Sequence, residues 1–180
     1  TMEFIEVYDC GGGDNRHQIY IATDEQMFPG STFRLQHSFV HDQNGGNSVK
    51  SRAERNEIYG NWLESRGEGY HILDLIGPDG EPTDTAREDS DVVGNVFVQR
   101  GPWTIARMGG DGTAETNGRY RFAFNTIIGS ADMETFFRAR DGIESLEISN
   151  NVFFLPNGGA PTVLHDDDAS WVGGSLAAAG

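Results

Sequence analysis

Five of the thirteen basic residues of this 180-residue chain, including its only lysine, fall where strand alternation turns them to one side. If Val49 and Ser51 point inward, Lys50 and Arg52 point outward. Leu73 and Leu75 inside turn Asp74 out, and aligning Gly109-Gly110-Asp111-Gly112 with the turn of that run turns Arg107 out. Phe137 and Ala139 inside leave Arg138 and Arg140 outside, and Ile19 and Ile21 inside leave Tyr20 outside. The predicted face is a column Tyr20, Lys50, Asp74, Arg107, Arg138, with Arg52 and Arg140 beside it. Such a strip suits an anionic sugar chain. Cleavage of a polyuronate by β-elimination needs a cation over the carboxylate, a base for the C5 proton and an acid for the leaving oxygen. Lys50 between Arg52 and Arg107 is the candidate base, and Tyr20, Tyr70, His41 and His71 are candidate donors. The same residues also read as a surface ladder of alternating charge, Lys50, Asp74, Arg107, with no chemistry at all. A groove that binds a glycan without cleaving it lies between these two readings.

Other constellations are less specific. His37 and His41 with Asp42 have the spacing of a metal site on a helix, but on a strand and turn they need not converge. Asp166-Asp167-Asp168 could give oxygen ligands to Ca²⁺, although a charge run of this kind is usually solvated. No further cofactor is expected. Gly11-Gly12-Gly13 and the glycines at 109 to 112 lack the Lys-Ser/Thr and the helix of a phosphate loop. A hydrolase would want two outward carboxylates about 5 to 9.5 Å apart; only Asp74 and Asp111 offer themselves.

The elements that must carry these residues are short strand-like runs. Glu57 to Leu63 returns as Asp91 to Phe97, Arg121 to Ile127 and Glu147 to Phe153, with a looser copy at Arg34 to Val40. With Ser38, Asn61, Asn95, Asn125 and Asn151 equivalent, the spacings are 23, 34, 30 and 26 residues, the irregular period of a solenoid. Each coil reads as two strand runs with turns between. The longest spacing contains a polar Gly/Pro loop, Gly77 to Ser90, which should bulge from the surface. A strand of four to seven residues buries little alone but shares a core when coils stack about 4.8 Å apart. Six or seven coils are expected, with Ile58, Val92, Phe122 and Ile148 inside and the asparagines stacked at one bend. There they would pair polar groups that a sharp corner leaves buried.

Length and composition fit one all-β domain over residues 1–180, rich in glycine, with 24 of them. No run reaches the roughly 18 to 20 apolar residues of a membrane span. A formal charge of −15 disfavours nucleic acid and anionic membranes, which are bound through Lys and Arg. Cys10 is the only cysteine, so no internal disulfide forms. The first strand-like run, Phe4 to Tyr8, follows no amphipathic helix, and open edges of parallel strands invite pairing. A capping segment or a partner chain is therefore expected there, as for the C-terminal part of a longer solenoid.

The repeated Ile-x-x-Asn-x-Ile-type run and the strand-turn-strand spacing, from about Phe4 to Val172, resemble the right-handed parallel β-helix, or pectate-lyase-like, superfamily. That resemblance implies polysaccharide lyases, glycoside hydrolases, uronate epimerases or noncatalytic surface and phage fibres, found outside the cell or at its surface. Val49-Lys50-Ser51-Arg52, followed by Asn56 and Asn61, is similar to the Lys-Ser segment of alginate lyase and chondroitinase-type β-helix lyases. In those enzymes the lysine is the proposed base and an arginine on the following coil assists. Here Asp74 stands next in the column and Arg107 one coil further. The resemblance implies catalysis by Lys50 with Arg107 assisting. The outward column adds Asp74 to that catalytic set, and Tyr20, His41, Arg52, Tyr70, Arg138 and Arg140 are the candidate substrate contacts. The implied partner is an anionic polysaccharide; the alternative is a noncatalytic fibre, assembly or glycan-binding β-helix.

Overall fold

Short alternating runs make strands, and the residues between them set where the chain turns. The computed structural model describes residues 1–77, 87–110, 116–140, 142–166 and 175–179, which form nineteen strands and no helix. The chain runs through β1 (Met2–Glu3), β2 (Glu6–Tyr8) and β3 (Ile19–Ile21), then β4 (Thr32–Gln36), β5 (Phe39–His41) and β6 (Val49–Ser51). Next come β7 (Arg55–Tyr59), β8 (Trp62–Glu64) and β9 (Leu73–Ile76), then β10 (Asp89–Val93), β11 (Val96–Val98) and β12 (Ala106–Gly109). They are followed by β13 (Arg119–Ala123), β14 (Thr126–Ile128) and β15 (Thr135–Ala139). The last are β16 (Ser145–Ser149), β17 (Val152–Phe154), β18 (Thr162–Asp166) and β19 (Ser175–Ala179).

Every third strand joins the same sheet, and every pairing is parallel. Sheet A has the order β1-β4-β7-β10-β13-β16-β19, sheet B β2-β5-β8-β11-β14-β17 and sheet C β3-β6-β9-β12-β15-β18. The six-stranded sheets contain five coil-to-coil steps, so this parallel β-helix has about five turns, slightly fewer than the six or seven coils expected. Each coil carries three strands where the sequence reading expected two. The run Glu57 to Leu63 breaks between β7 and β8, where Gly60 takes φ 61° and turns the chain from sheet A to sheet B.

That corner repeats up the stack. His37, Gly60, Gly94, Phe124 and Asn150 all have positive φ, and the next residue is Ser38, Asn61, Asn95, Asn125 or Asn151. The backbone N–H groups of Ser38, Asn61, Asn95 and Asn125 donate to the side-chain oxygen of the asparagine one coil on, at 2.9 to 3.0 Å. The Nδ2 groups of Asn61, Asn95, Asn125 and Asn151 donate to the carbonyls of Leu35, Ile58, Val92 and Phe122 at 2.8 to 3.0 Å. Polar backbone that the bend would strand inside is thereby paired.

Leu35, Ile58, Val92, Phe122 and Ile148 stand in register along sheet A, all buried. Val40, Leu63, Phe97 and Ile127 fill the core from sheet B, and Val49, Leu73, Ala106 and Phe137 from sheet C. Each large aliphatic or aromatic side chain so buried contributes about 1.5 to 3 kcal/mol. Ser51 also faces inward; its hydroxyl donates to Asn56 Oδ1 (2.6 Å), and Asn56 Nδ2 donates to Ser90 Oγ and the Ala53 carbonyl. The outer face of sheet A carries paired charges: Arg34 with Glu57, Arg55 and Arg121 with Asp91, and Arg119 with Asp89.

Candidate functional site

Register settles the column on sheet C. Tyr20 pairs with Lys50, Lys50 with Asp74, Asp74 with Arg107, Arg107 with Arg138 and Arg138 with His165. Five outward positions expected from alternation therefore lie side by side. Over their centre opens a cleft of about 360 Å³, to which the column contributes Lys50, Asp74 and Arg107. Its walls come from the turns that lead from sheet B into sheet C on successive coils: Asp14 and His17, then Asn47, then Tyr70 and His71, then Trp103. The volume lies in the range of small-molecule sites, about 300 to 1,000 Å³.

Asp74 is the centre of the cleft floor. Its side chain points away from the core yet is fully buried beneath its partners. Arg107 grips it with two bonds, Nε to Oδ1 at 2.6 Å and Nη2 to Oδ2 at 2.9 Å. Asn47 Nδ2 donates to Oδ2 at 2.9 Å, and Lys50 Nζ stands 3.8 Å from the same oxygen. Bidentate Arg–carboxylate pairing fixes direction as well as charge. Asn47 in turn accepts from the His71 backbone N–H through Oδ1 (3.1 Å), joining floor to wall.

Two imidazoles frame the cleft as neutral groups. His17 is held below the ordinary histidine range by burial and by the Lys50, Arg107 and Arg52 charges, which outweigh Asp74. Its Nδ1 accepts the Asn47 backbone N–H at 2.9 Å, which places the proton of the neutral ring on Nε2. His71 is pushed down to about 4, chiefly by burial, and its Nδ1 lies 2.6 Å from the Thr104 hydroxyl. The Tyr70 phenol is raised by its hydrogen bond with Asp14.

Some expected residues lie elsewhere. Arg52 lies beside the column but is buried and does not line the cleft, with Nε donating to the Tyr20 hydroxyl (3.1 Å) and Nη1 to the Gly77 carbonyl (2.5 Å). It follows the last residue of β6, so strand alternation no longer directs it. Arg140 likewise follows β15; its backbone N–H donates to the Met108 carbonyl (2.8 Å). Tyr20 is half exposed beside the cleft, its ring centroid 5.7 Å from Lys50 Nζ. His41 sits on sheet B, stacked on Phe39 (3.8 Å) and bonded to Asp42 and Glu6, away from the cleft. Asn47, in the turn before β6, lines the cleft; residues 78–86 of the Gly77 to Ser90 loop lie outside the described residues, as do Asp111, Asp167, Asp168 and the Asp166 side chain.

His17, Asn47, Asp14 and Trp103 were not singled out in the sequence, because they sit in turns with no periodic signal. The signal that existed was glycine. A Cβ on Gly11 would lie 2.6 Å from the Arg16 carbonyl oxygen and one on Gly46 at 2.6 Å from the same atom. The Gly-rich turns of two coils thus pack backbone against backbone, and that close stacking holds His17 over Asn47. Among the described residues no three metal-ligating side chains converge. The sequence matches no protein-family model, and neither a curated protein nor a solved structure matches it, so sheet topology and cleft geometry carry the functional reading.

Proposed function

We propose that this chain is a carbohydrate-active β-helix that takes a segment of an anionic polysaccharide, at the cell surface or outside it, into the sheet C cleft. The observation that carries this is the floor itself: Lys50 and Arg107, oriented by a buried carboxylate, face a cleft walled by Tyr70 and Trp103 in a chain of formal charge −15. Aromatic rings suit the apolar faces of sugars, and the amide, imidazole and ammonium groups suit hydroxyls and carboxylates. Because Asp74 holds the arginine in place before ligand arrives, little side-chain order is lost on binding.

Elimination is the second reading, favoured by the meeting of Lys50, Tyr70 and neutral His17 at one cleft. In that reaction Lys50 takes the C5 proton, the C4–O bond breaks as the C4–C5 double bond forms, and a donor such as Tyr70 protonates the leaving oxygen. Arg107 would assist and Asp74 would hold it. Lys50 would have to leave its ion pair with Asp74 to act as base, so the geometry favours binding over cleavage. The wild type and Lys50→Ala are incubated with polygalacturonate, alginate, chondroitin sulfate and a neutral glucan while absorbance of unsaturated product and migration in glycan-containing gels are followed. Retarded migration with a polyanion, weakened in Lys50→Ala, is expected; product formed by the wild type alone would promote the elimination reading. Unchanged migration with every polymer and no product would reject both.

A further inference from the structure

Beyond the first cleft, sheet C carries a second one of about 320 Å³, lined by Trp103, His71, Pro102, Thr104, Thr135 and Arg138 among others. Trp103 and His71 belong to both. Arg138 stands two strands beyond Asp74, the centre of the first floor, so the second cleft lies about two strand spacings further along the stack, roughly 9.6 Å. Resting on the carbohydrate reading of sheet C, we propose that the two clefts are consecutive subsites for one oligosaccharide laid along the solenoid axis, with Trp103 as the platform they share.

The case for Trp103 is its mounting. The indole is 37% exposed, yet its ring stands edge to face with Tyr70 (4.6 Å, 84°) and with His71 (5.4 Å, 87°). The turn that carries it is strapped from within. Gln99, almost fully buried, donates from Nε2 to the Tyr70 and Thr104 carbonyls (3.3 Å each) and accepts the Gly101 N–H at Oε1 (3.1 Å). Ser130 Oγ, on the next coil, donates to the Gly101 carbonyl (2.7 Å). A single exposed aromatic is ordinary. One held rigid by a buried amide between two polar-rimmed clefts is suited to bury a sugar face on either side without an ordering cost. The Arg138 guanidinium lines the far cleft, where it can donate to a second sugar. The Thr135 hydroxyl already donates to the Phe137 and Thr162 carbonyls and the Thr104 hydroxyl is paired with His71 Nδ1, so these two offer only acceptor lone pairs, and the Glu134 carboxylate shares the lining.

The test is isothermal titration of the intact chain with galacturonate and oligogalacturonates of two to six residues, and with the matching alginate series. Wild-type affinity is expected to rise about tenfold or more between one and three residues. Arg138→Ala should lose that gain and keep the monosaccharide-level affinity. Trp103→Ala, which strips both clefts, should weaken the monosaccharide and lose the gain as well, and Trp103→Phe should restore part of each; Lys50→Ala should weaken every length. Affinity independent of length, or a length gain that survives in Trp103→Ala and Arg138→Ala, would overturn the two-subsite inference while leaving the first cleft standing. Absence of binding at every length in both series would reject the carbohydrate reading and this inference with it.

Discussion

Asp74 is a buried carboxylate whose partners are both cations of the cleft floor, and its removal would separate structure from recognition. Breaking a buried pair leaves the remaining charges uncompensated. Because Lys50 and Arg107 side chains are 13% and 17% exposed, water can partly solvate them. Asp74→Ala is therefore expected to cost about 2 to 3 kcal/mol in urea unfolding. Lys50→Ala should cost under about 1 kcal/mol, since its pair with Asp74 is long. Strand alternation alone was enough to place Lys50, Asp74 and Arg107 in one column. It could not reveal that Arg52 is buried against the Tyr20 hydroxyl and the Gly77 carbonyl, because β6 ends at Ser51, nor that turns bring in His17 and Trp103.

Two buried titratable residues set the pH dependence in opposite directions. His71 is pushed down to about 4 in the folded protein, against 6.5 for a free histidine. Above pH 6.5 neither state carries the proton and nothing is lost; as pH falls from 6.5 toward 4, only the unfolded state takes it up, and stability declines by about 3 kcal/mol in all. Unfolding midpoints across that range, flattened in His71→Gln, check this. Glu88 is raised to about 10 by burial and by the neighbouring Glu25 and Glu54 carboxyls. Above pH 4.5 the unfolded chain gives up that proton while the folded chain keeps it, so stability falls as pH rises. Glu88→Gln removes the penalty and is expected to stabilise by about 1 to 3 kcal/mol at pH 7 and by nothing at pH 4. An equal or lower midpoint at pH 7 would contradict it.

At the scale of the element, the corner between sheets A and B is where sequence and backbone meet most closely. The spacing of the asparagines placed this corner, since each repeat supplies the same amide at the same bend. It did not show that the preceding residue must take positive φ, because only Gly60 and Gly94 are of the type that signals it, while His37 and Phe124 adopt it without being glycine. Phe124 has φ 57° and is 64% exposed, so its side chain gains little packing in return. Left-handed backbone costs an L-residue about 1 to 2 kcal/mol, partly offset by the flexibility glycine adds to the unfolded chain. Phe124→Gly should therefore stabilise by roughly 0.5 to 1 kcal/mol. Asn95→Ala removes the acceptor of the Asn61 N–H and the donor to the Ile58 carbonyl, and should cost about 2 to 4 kcal/mol by urea denaturation.

The whole molecule divides its labour by face. Sheet A carries Arg and Asp in paired columns that line a cleft of about 270 Å³. On sheet C the charges are paired too, Asp74 with Arg107 and Lys50 as the ladder reading expects, and there they floor a cleft with aromatic and imidazole walls. The solenoid itself was readable because four coils repeat an apolar pair and an amide, with Ser38 at the same corner of an earlier one, whereas the number of strands per coil was not, since one continuous run folds into two strands at its bend. The central claim, that sheet C receives a glycan, is tested most directly by hydrogen–deuterium exchange with and without saturating polygalacturonate or alginate. Slowed exchange is predicted for amides of residues 47–51, 70–75 and 103–108, with sheets A and B unchanged. Protection confined to sheet A or sheet B, or no protection with any polyanion, would contradict it.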